Sequence, residues 1–355
     1  MSERQEQNTG LREVRTAHRI DTGRLETYLI SHLEGFRALL SIRQFKGGQS
    51  NPTYLLEAQS GRYVLRRKPP GKLLKSAHAV DREFRIISAL YATGFPVPRP
   101  YLLCEDGDVI GTIFFVMEFI AGRVFWDLDM PDLDRAARSA IYDETNDTIA
   151  KLHNLDYSGL GLADYGKPGN YFSRQISRWS GQYRASETGT VDAMNALIRW
   201  LPENIPADDS VTIVHGDYRL DNMILHPTEP RVLAVLDWEL STLGHPLADF
   251  TYHLMSWQMP KIGIGSVGLL GMPLAELGIP DEEAYIERYC RQTGRSGGIP
   301  NRNFYSAFNF FRLAAILQGI AGRVRDGTAS SDHAELAVQS VRPLAEIGLK
   351  YMDES

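Results

Sequence analysis

His215-Gly-Asp-Tyr-Arg-Leu-Asp-Asn222, followed by Val232-Leu-Ala-Val-Leu236 and Asp237-Trp-Glu239, is the stretch from which the chain is best read. Ahead of it, Val211-Thr-Ile-Val214 is β-branched and apolar, which predicts a buried strand that delivers the motif at its end. Met223-Ile-Leu225 reads as a short strand, His226-Pro-Thr-Glu-Pro230 as a turn, and Val232 to Leu236 as the hairpin partner. Asn222 and Asp237 then stand at the open end of one hairpin. Asp217 can accept the proton of an attacking hydroxyl, and Asn222 and Asp237 offer hard oxygen donors to Mg²⁺. Phosphoryl transfer needs metal charge, in-line positioning and a base, with little covalent help. A lone Gly-Asp often marks only a turn, so the flanking strands give the motif its weight.

With its strands and spacing, this segment resembles the aminoglycoside phosphotransferase and choline kinase family, small-molecule relatives of the protein kinases. It differs from the protein-kinase catalytic loop in carrying Gly216 where that loop has Arg, and Trp238-Glu239 after the metal-binding Asp rather than Phe-Gly. The resemblance implies a protein-kinase-like α+β fold of two lobes, an antiparallel sheet lobe at 1–120 and a mainly helical lobe at 121–355. It makes Asp217 the catalytic base, Asn222 and Asp237 the magnesium ligands, and Glu239 a support of the metal site. ATP and Mg²⁺ are the implied cofactors, and a small-molecule alcohol is the acceptor. His215 reads as a brace for the loop.

The nucleotide lobe can be sought in the residues ahead of the motif. Arg43-Gln-Phe-Lys-Gly-Gly-Gln-Ser-Asn-Pro-Thr-Tyr54 places Gly47, Gly48 and Ser50 between two strand-like stretches. Glycine allows backbone N–H groups to approach phosphate oxygens closely, although a Gly-Gly hairpin turn is also ordinary. In Arg62-Tyr-Val-Leu-Arg-Arg-Lys68, alternation puts Arg66 and Lys68 on one face and Arg67 on the other. The family position that reaches the phosphates falls on Arg66, with Lys68 as the competitor. Arg is a sound choice there, being always charged and able to grip phosphate in a bidentate way. Val80, Phe84, Ile87 and Leu90 form a helical apolar stripe. Beside it, Glu83 resembles the acidic partner of the phosphate-binding cation, and Asp81 is its competitor. Thr112-Ile-Phe-Phe-Val-Met-Glu118 reads as a strand buried on both faces. In a kinase-like fold it runs into a hinge, where backbone groups of Glu118 and Ile120 bond adenine and Gly122 lets the chain turn.

Composition agrees with a two-lobed globular enzyme. The 355 residues exceed one ordinary core, and 43% hydrophobic with 23% charged residues is an average globular mixture. A net charge of −6 leaves no nucleic-acid footprint. Two cysteines, Cys104 and Cys290, give no disulfide framework and suit the cytoplasm. Met1 to Gln7 is polar, which predicts no signal peptide, and the Gly-rich run Ile262 to Leu277 is too short to span a membrane. No membrane or nucleic-acid partner is expected, and the oligomeric state stays open.

Helices are expected at Asp21 to Leu33 with Asp21 as N-cap, Leu133 to Leu155, Asn170 to Tyr183, Val191 to Leu201, Asp281 to Arg291, Asn303 to Arg325 and His333 to Tyr351. About ten N-terminal residues read as loose. The C-terminal helices and the loop Trp257 to Pro280 should build the acceptor site, with Arg312 as an internal salt-bridge partner. The late chain mixes acids and bases almost evenly, which argues against a polycationic antibiotic as acceptor. Tyr63-Val-Leu-Arg66, the Lys-Pro-Pro-Gly run at 68–71 and Phe311-Arg-Leu-Ala-Ala-Ile-Leu-Gln-Gly319 resemble kinase-like domains associated with acyl-CoA dehydrogenases. That likeness implies a hydroxyacyl-CoA acceptor. An aminoglycoside, choline- or homoserine-type kinase and a non-catalytic nucleotide-binding protein are the alternatives.

Overall fold

Asp21 starts the first long helix by accepting the Arg24 N–H at 3.0 Å, the N-cap expected from the sequence. This helix belongs to the first of two compact units in a computed structural model that describes residues 3–47, 51–69, 79–260, 268–325 and 333–354. Unit one comprises Met1–Thr148, Ser158–Leu162 and Arg219–Ser241; unit two comprises Ile149–Tyr157, Ala163–Tyr218 and Thr242–Ser355.

The chain enters unit one through α1 (Glu3–Asn8), β1 (Leu11–Arg12) and α2 (Thr22–His32). Then follow β2 (Leu39–Phe45), β3 (Thr53–Ala58), β4 (Gly61–Arg67), α3 (Val80–Tyr91), β5 (Pro100–Cys104) and β6 (Phe114–Glu118). The strands form one antiparallel sheet in the order β1-β2-β3-β4-β6-β5. Leu25 and Leu29 of α2 share a core with Tyr54, Leu56, Leu65, Phe114 and Val116. Each fully buried leucine there contributes about 1.5–3 kcal/mol. Of the ten or so N-terminal residues expected to be loose, Glu3–Asn8 instead form α1, and Gln5 Nε2 donates to the Val124 carbonyl at 2.6 Å.

Helix α4 (Arg135–His153) is divided between the units, its residues from Ile149 belonging to unit two. Unit two continues with α5 (Tyr171–Ser186), α6 (Asp192–Glu203) and β7 (Thr212–Val214). The chain then gives unit one the antiparallel hairpin of β8 (Met223–Leu225) and β9 (Val232–Val235). It returns to unit two with β10 (Thr242–Gly244), which pairs with β7. After them come α7 (Pro246–Gln258), α8 (Leu274–Leu277), α9 (Glu282–Gln292), α10 (Arg302–Arg325) and α11 (His333–Asp353). Helix α10 packs against α5, α6, α7 and α11. Phe304, Ala307, Phe308, Phe311, Ala314 and Ala315 are all buried, as expected of a helix apolar on most sides. No helix among the described residues is long and apolar enough to cross a membrane.

Helix α7 was not anticipated from the sequence. Pro246 occupies its first turn, and His245 caps it by accepting the Leu247 N–H at 3.2 Å. Its residues are buried on nearly every side, so no amphipathic period marks it.

Candidate functional site

In unit one the structure gathers charge around a single arginine. Arg66 lies on β4 opposite Thr53 on one side and Phe115 on the other. Its Nε donates to Glu83 Oε2 at 2.8 Å, and its guanidinium also donates to Thr53 Oγ1 at 3.3 Å and to Asp237 Oδ1. Glu239 Oε2 stands 4.0 Å away. Arg66 and Glu83 are almost wholly buried, at 6% and 2% exposure. The competitors, Lys68 and Asp81, pair with each other at 3.4 Å in a more exposed position. Arg67 points elsewhere, to the carbonyls of His18 and Ile110. On α3, Glu83 joins Val80, Ile86, Ile87 and Leu90 on the buried face, while Phe84 is only half-buried. The apolar stripe read from the sequence therefore turns far enough to bury a carboxylate.

This burial has electrostatic consequences. Desolvation, the largest influence, pushes Glu83 up to about 7; Asp237 and Glu239 add to it and Arg66 opposes it. Burial also works against the Arg66 charge, but Glu83, Asp237 and Glu239 together outweigh it and push its pKa upward.

The hairpin brings the proposed metal residues together at the backbone. Asn222 ends a 3₁₀ turn (Leu220–Asn222), and its carbonyl accepts the Leu236 N–H at 2.8 Å. Asp237 follows with a left-handed φ of 64°, a conformation that Asp tolerates better than most side chains. Trp238 anchors this turn: fully buried, it donates to the Val235 carbonyl at 2.9 Å and packs edge-on against Phe95. Glu239 accepts from Asn51 Nδ2 at 3.0 Å, a partner the sequence reading did not single out. No group of three or more His, Cys, Asp or Glu arranged to hold a metal occurs among the described residues. Mg²⁺ bound with a nucleotide does not need such a cage, since it uses one or two carboxylates, phosphate oxygens and water. Asp237 already attracts a cation, the Arg66 guanidinium, and the oxygen donors around it fit that chemistry.

The remaining nucleotide candidates also lie in unit one, except that Gly48 and Ser50 fall outside the described residues. A Cβ at Gly47 would stand 3.3 Å from the Asn8 carbonyl oxygen. The Glu118 N–H donates to the Arg99 carbonyl at 2.8 Å, so an adenine contact at Glu118 must use its carbonyl. Ile120 is half-buried just beyond β6. Gly122 also meets a close approach: a Cβ there would lie 2.3 Å from the Leu225 carbonyl oxygen, and Arg123 exchanges two backbone bonds with Leu225.

In unit two, residues 215–218 are held from one face of α7. Asp249, Tyr252 and His253 follow helical i, i+3, i+4 spacing. Asp249 accepts the His215 N–H at 2.7 Å and the Gly216 N–H at 2.8 Å, one on each carboxylate oxygen. His153 Nε2 donates to the same carboxylate at 3.3 Å, and its Nδ1 meets the Tyr289 hydroxyl at 2.7 Å. Burial would raise the Asp249 carboxyl, but the His153 hydrogen bond and the bonds to His215 hold it below the usual range. His215 braces the loop through its ring, whose Nδ1 accepts the Asp217 N–H at 3.2 Å. Asp217 Oδ1 accepts the Tyr252 hydroxyl at 2.7 Å. Arg312 donates to the Gly216 carbonyl at 2.8 Å and lies over the Tyr252 ring, so its partner is a carbonyl where a carboxylate was expected. The sequence reading missed Asp249, Tyr252, His253 and His153; Pro246 was the available signal for the helix that carries the first three.

His253 offers a pH test of this packing. Its Nδ1 donates to the Tyr218 carbonyl at 3.2 Å and its Nε2 meets the Tyr285 hydroxyl at 2.9 Å, accepting from it when the ring is neutral. Burial is the main reason its pKa falls to about 4. The unfolded ring takes a proton near pH 6.5, so this contribution to stability is complete above that pH and is lost as pH falls toward 4. On the order of 3 kcal/mol is at stake. Urea unfolding of His253→Gln should show a shallower loss of stability over that interval; a slope equal to the wild type would refute the assignment.

The APH phosphotransferase enzyme family profile matches residues 41–296. Acyl-CoA dehydrogenase family member 11 of Rattus norvegicus is 46% identical over 347 residues, covering 95% of this chain and 44% of that protein. The chain thus spans less than half the length of this curated relative. Among solved structures, a putative aminoglycoside phosphotransferase from Ralstonia eutropha is 53% identical, with a TM-score of 0.86 and coverage of 95% of this chain and 99% of that one. Spectinomycin phosphotransferase in complex with ADP and spectinomycin shares the fold, at TM-score 0.62 and 12% identity, over 94% of this chain and 98% of that one.

Proposed function

This chain belongs to the phosphotransferase enzyme family, and from that premise we propose that it uses Mg²⁺ and ATP to phosphorylate a hydroxyl group of a small molecule. The observation that carries the reading is the Arg66 cluster, in which one buried guanidinium meets Glu83, Asp237 and Glu239. An arginine paired in this way suits nucleotide phosphates, and Asp237 beside it suits the metal that accompanies them. Asn222 and Asp237 would ligate Mg²⁺ with Glu239 in support, and the bound metal would supply charge neutralisation to the phosphates. Gly47, Gly48 and Ser50 would approach those phosphates, while the Glu118 carbonyl and the Ile120 backbone would meet adenine. In unit two, Asp217 would accept the proton of the acceptor hydroxyl. ADP in the spectinomycin enzyme of the same fold supports nucleotide use.

For the acceptor, we favour a hydroxyacyl-CoA. The likeness to the rat acyl-CoA dehydrogenase family protein supports this choice over a polycationic antibiotic, as does the mixed charge of the late chain. Phosphorylation would turn a poor leaving group, the hydroxyl, into a good one.

Calorimetric titration with Mg-ATP tests the nucleotide and metal reading. Asp237→Ala is expected to weaken Mg-ATP binding by about tenfold or more, the cost of losing one charge-assisted contact at roughly 1.5–3 kcal/mol. Equal affinity in wild type and variant would sink the metal role. The acceptor is then sought by mass spectrometry, as an ATP-dependent gain of phosphate among hydroxyacyl-CoAs, aminoglycosides and amino alcohols. Phosphate gain confined to the latter two classes would refute the CoA proposal.

A further inference from the structure

We propose that Tyr252 is a positioning residue for Asp217: its hydroxyl fixes the orientation of the carboxylate and tempers its basicity. The inference rests on the reading of Asp217 as the general base. Tyr252 Oη donates to Asp217 Oδ1 at 2.7 Å, a short and well-formed bond to a charged acceptor.

The hydroxyl is aimed by structure on both sides of it. Tyr252 stands one turn after Asp249, which holds the His215 and Gly216 N–H groups, so helix and loop are pinned to each other at the residues flanking the bond. On α10, Asn309 Nδ2 donates to the Ala248 carbonyl at 3.0 Å and to Thr251 Oγ1 at 2.8 Å, fixing α7 from a second direction. Arg312, also on α10, is 93% buried, grips the Gly216 carbonyl and lies 5.1 Å from the centre of the Tyr252 ring. Ring, loop backbone and carboxylate are therefore tied to one another by direct contacts. Such support is what a catalytic side chain needs, because displacement by about 1 Å from the productive geometry costs roughly a hundredfold in rate.

The choice of a phenol has a chemical logic. In unit two, Asp217 is approached by the Tyr252 hydroxyl from α7, while within its own loop His215 Nδ1 accepts its N–H. Arg312 reaches the adjoining Gly216 carbonyl. A lysine or arginine at position 252 would form an ion pair with the carboxylate and strip it of basicity. A phenol orients it at smaller cost and stays neutral, since its ordinary pKa is about 10. Hydrogen bonding to the ionised carboxylate favours that form, so removal of the hydroxyl must raise the pKa of Asp217.

Tyr252→Phe keeps the ring over Arg312 and deletes only the donor. Protein labelled with [¹³Cγ]aspartate is titrated by NMR, and the Asp217 signal is identified as the one missing from Asp217→Asn. The midpoint in Tyr252→Phe is expected to rise by about 0.5–1 pH unit. Turnover is read as Mg-ATP hydrolysis with water as acceptor, which requires no assigned substrate. There kcat is expected to fall about tenfold with KM for Mg-ATP within twofold. If Asp217→Asn retains wild-type hydrolysis, the base reading itself fails. If Asp217→Asn is inactive while Tyr252→Phe keeps both the wild-type titration midpoint and kcat, the base stands and the role of Tyr252 is overturned.

Discussion

Replacement of Asp217 by Asn is expected to lower turnover by about a hundredfold or more while leaving Mg-ATP affinity within about twofold. The substitution keeps shape and hydrogen-bonding capacity, so the Tyr252 hydroxyl still finds an oxygen and the His215 ring still accepts the N–H at position 217. What disappears is the ability to take a proton. The residues proposed to hold nucleotide and metal belong to unit one and keep their identity in this variant. Steady-state kinetics on the identified acceptor, with parallel calorimetry, separates the two effects. Turnover within a fewfold of wild type would remove Asp217 from the role of base.

Arg66→Met is expected to destabilise the protein by about 3–5 kcal/mol, because it leaves a buried carboxylate without its partner. Glu83 is 2% exposed and accepts directly from Arg66, with Asp237 and Glu239 adding negative charge nearby. Methionine fills much of the volume but offers no donor. The loss should depend on pH. Burial pushes Glu83 up to about 7, and Arg66 is the group that pulls it down. A carboxyl whose folded pKa lies above its unfolded value is stabilising when protonated and loses that contribution as pH rises through the folded pKa. The variant should therefore lose least near pH 5 and most near pH 8. Urea unfolding at both values checks this; a cost below about 1 kcal/mol at pH 8 would show that the cluster is not held by its arginine.

The strands that flank residues 215–222 were legible in the sequence. Residues 211–214 are largely β-branched, 223–225 and 232–236 are apolar, and β7, β8 and β9 lie where that pattern placed them. Arg66 and Lys68 could not be separated in advance, since alternation assigns both to one face. The ladder ends at Arg67 and leaves Lys68 beyond it, near the surface with Asp81. Glu83 was read as flanking an apolar stripe, and only the packing of α3 shows the carboxylate buried within it. Asp249, Tyr252 and His253 were invisible for another reason. A helix buried on almost all sides has no polar face against which a period can be read, so α7 passed as connecting chain. At Gly122 the close approach of Leu225 is a further, tertiary constraint that no local pattern records.

The bond between Arg66 and Asp237 joins residues 171 positions apart. On a ribosome that separation is a delay. At about 5–20 residues per second, Asp237 is made roughly ten to thirty seconds after Arg66. Throughout that interval Glu83, only 17 positions from Arg66, is the carboxylate at hand. The nascent sheet can thus neutralise its buried cation at once, and the late hairpin arrives at a site whose charge is already half settled.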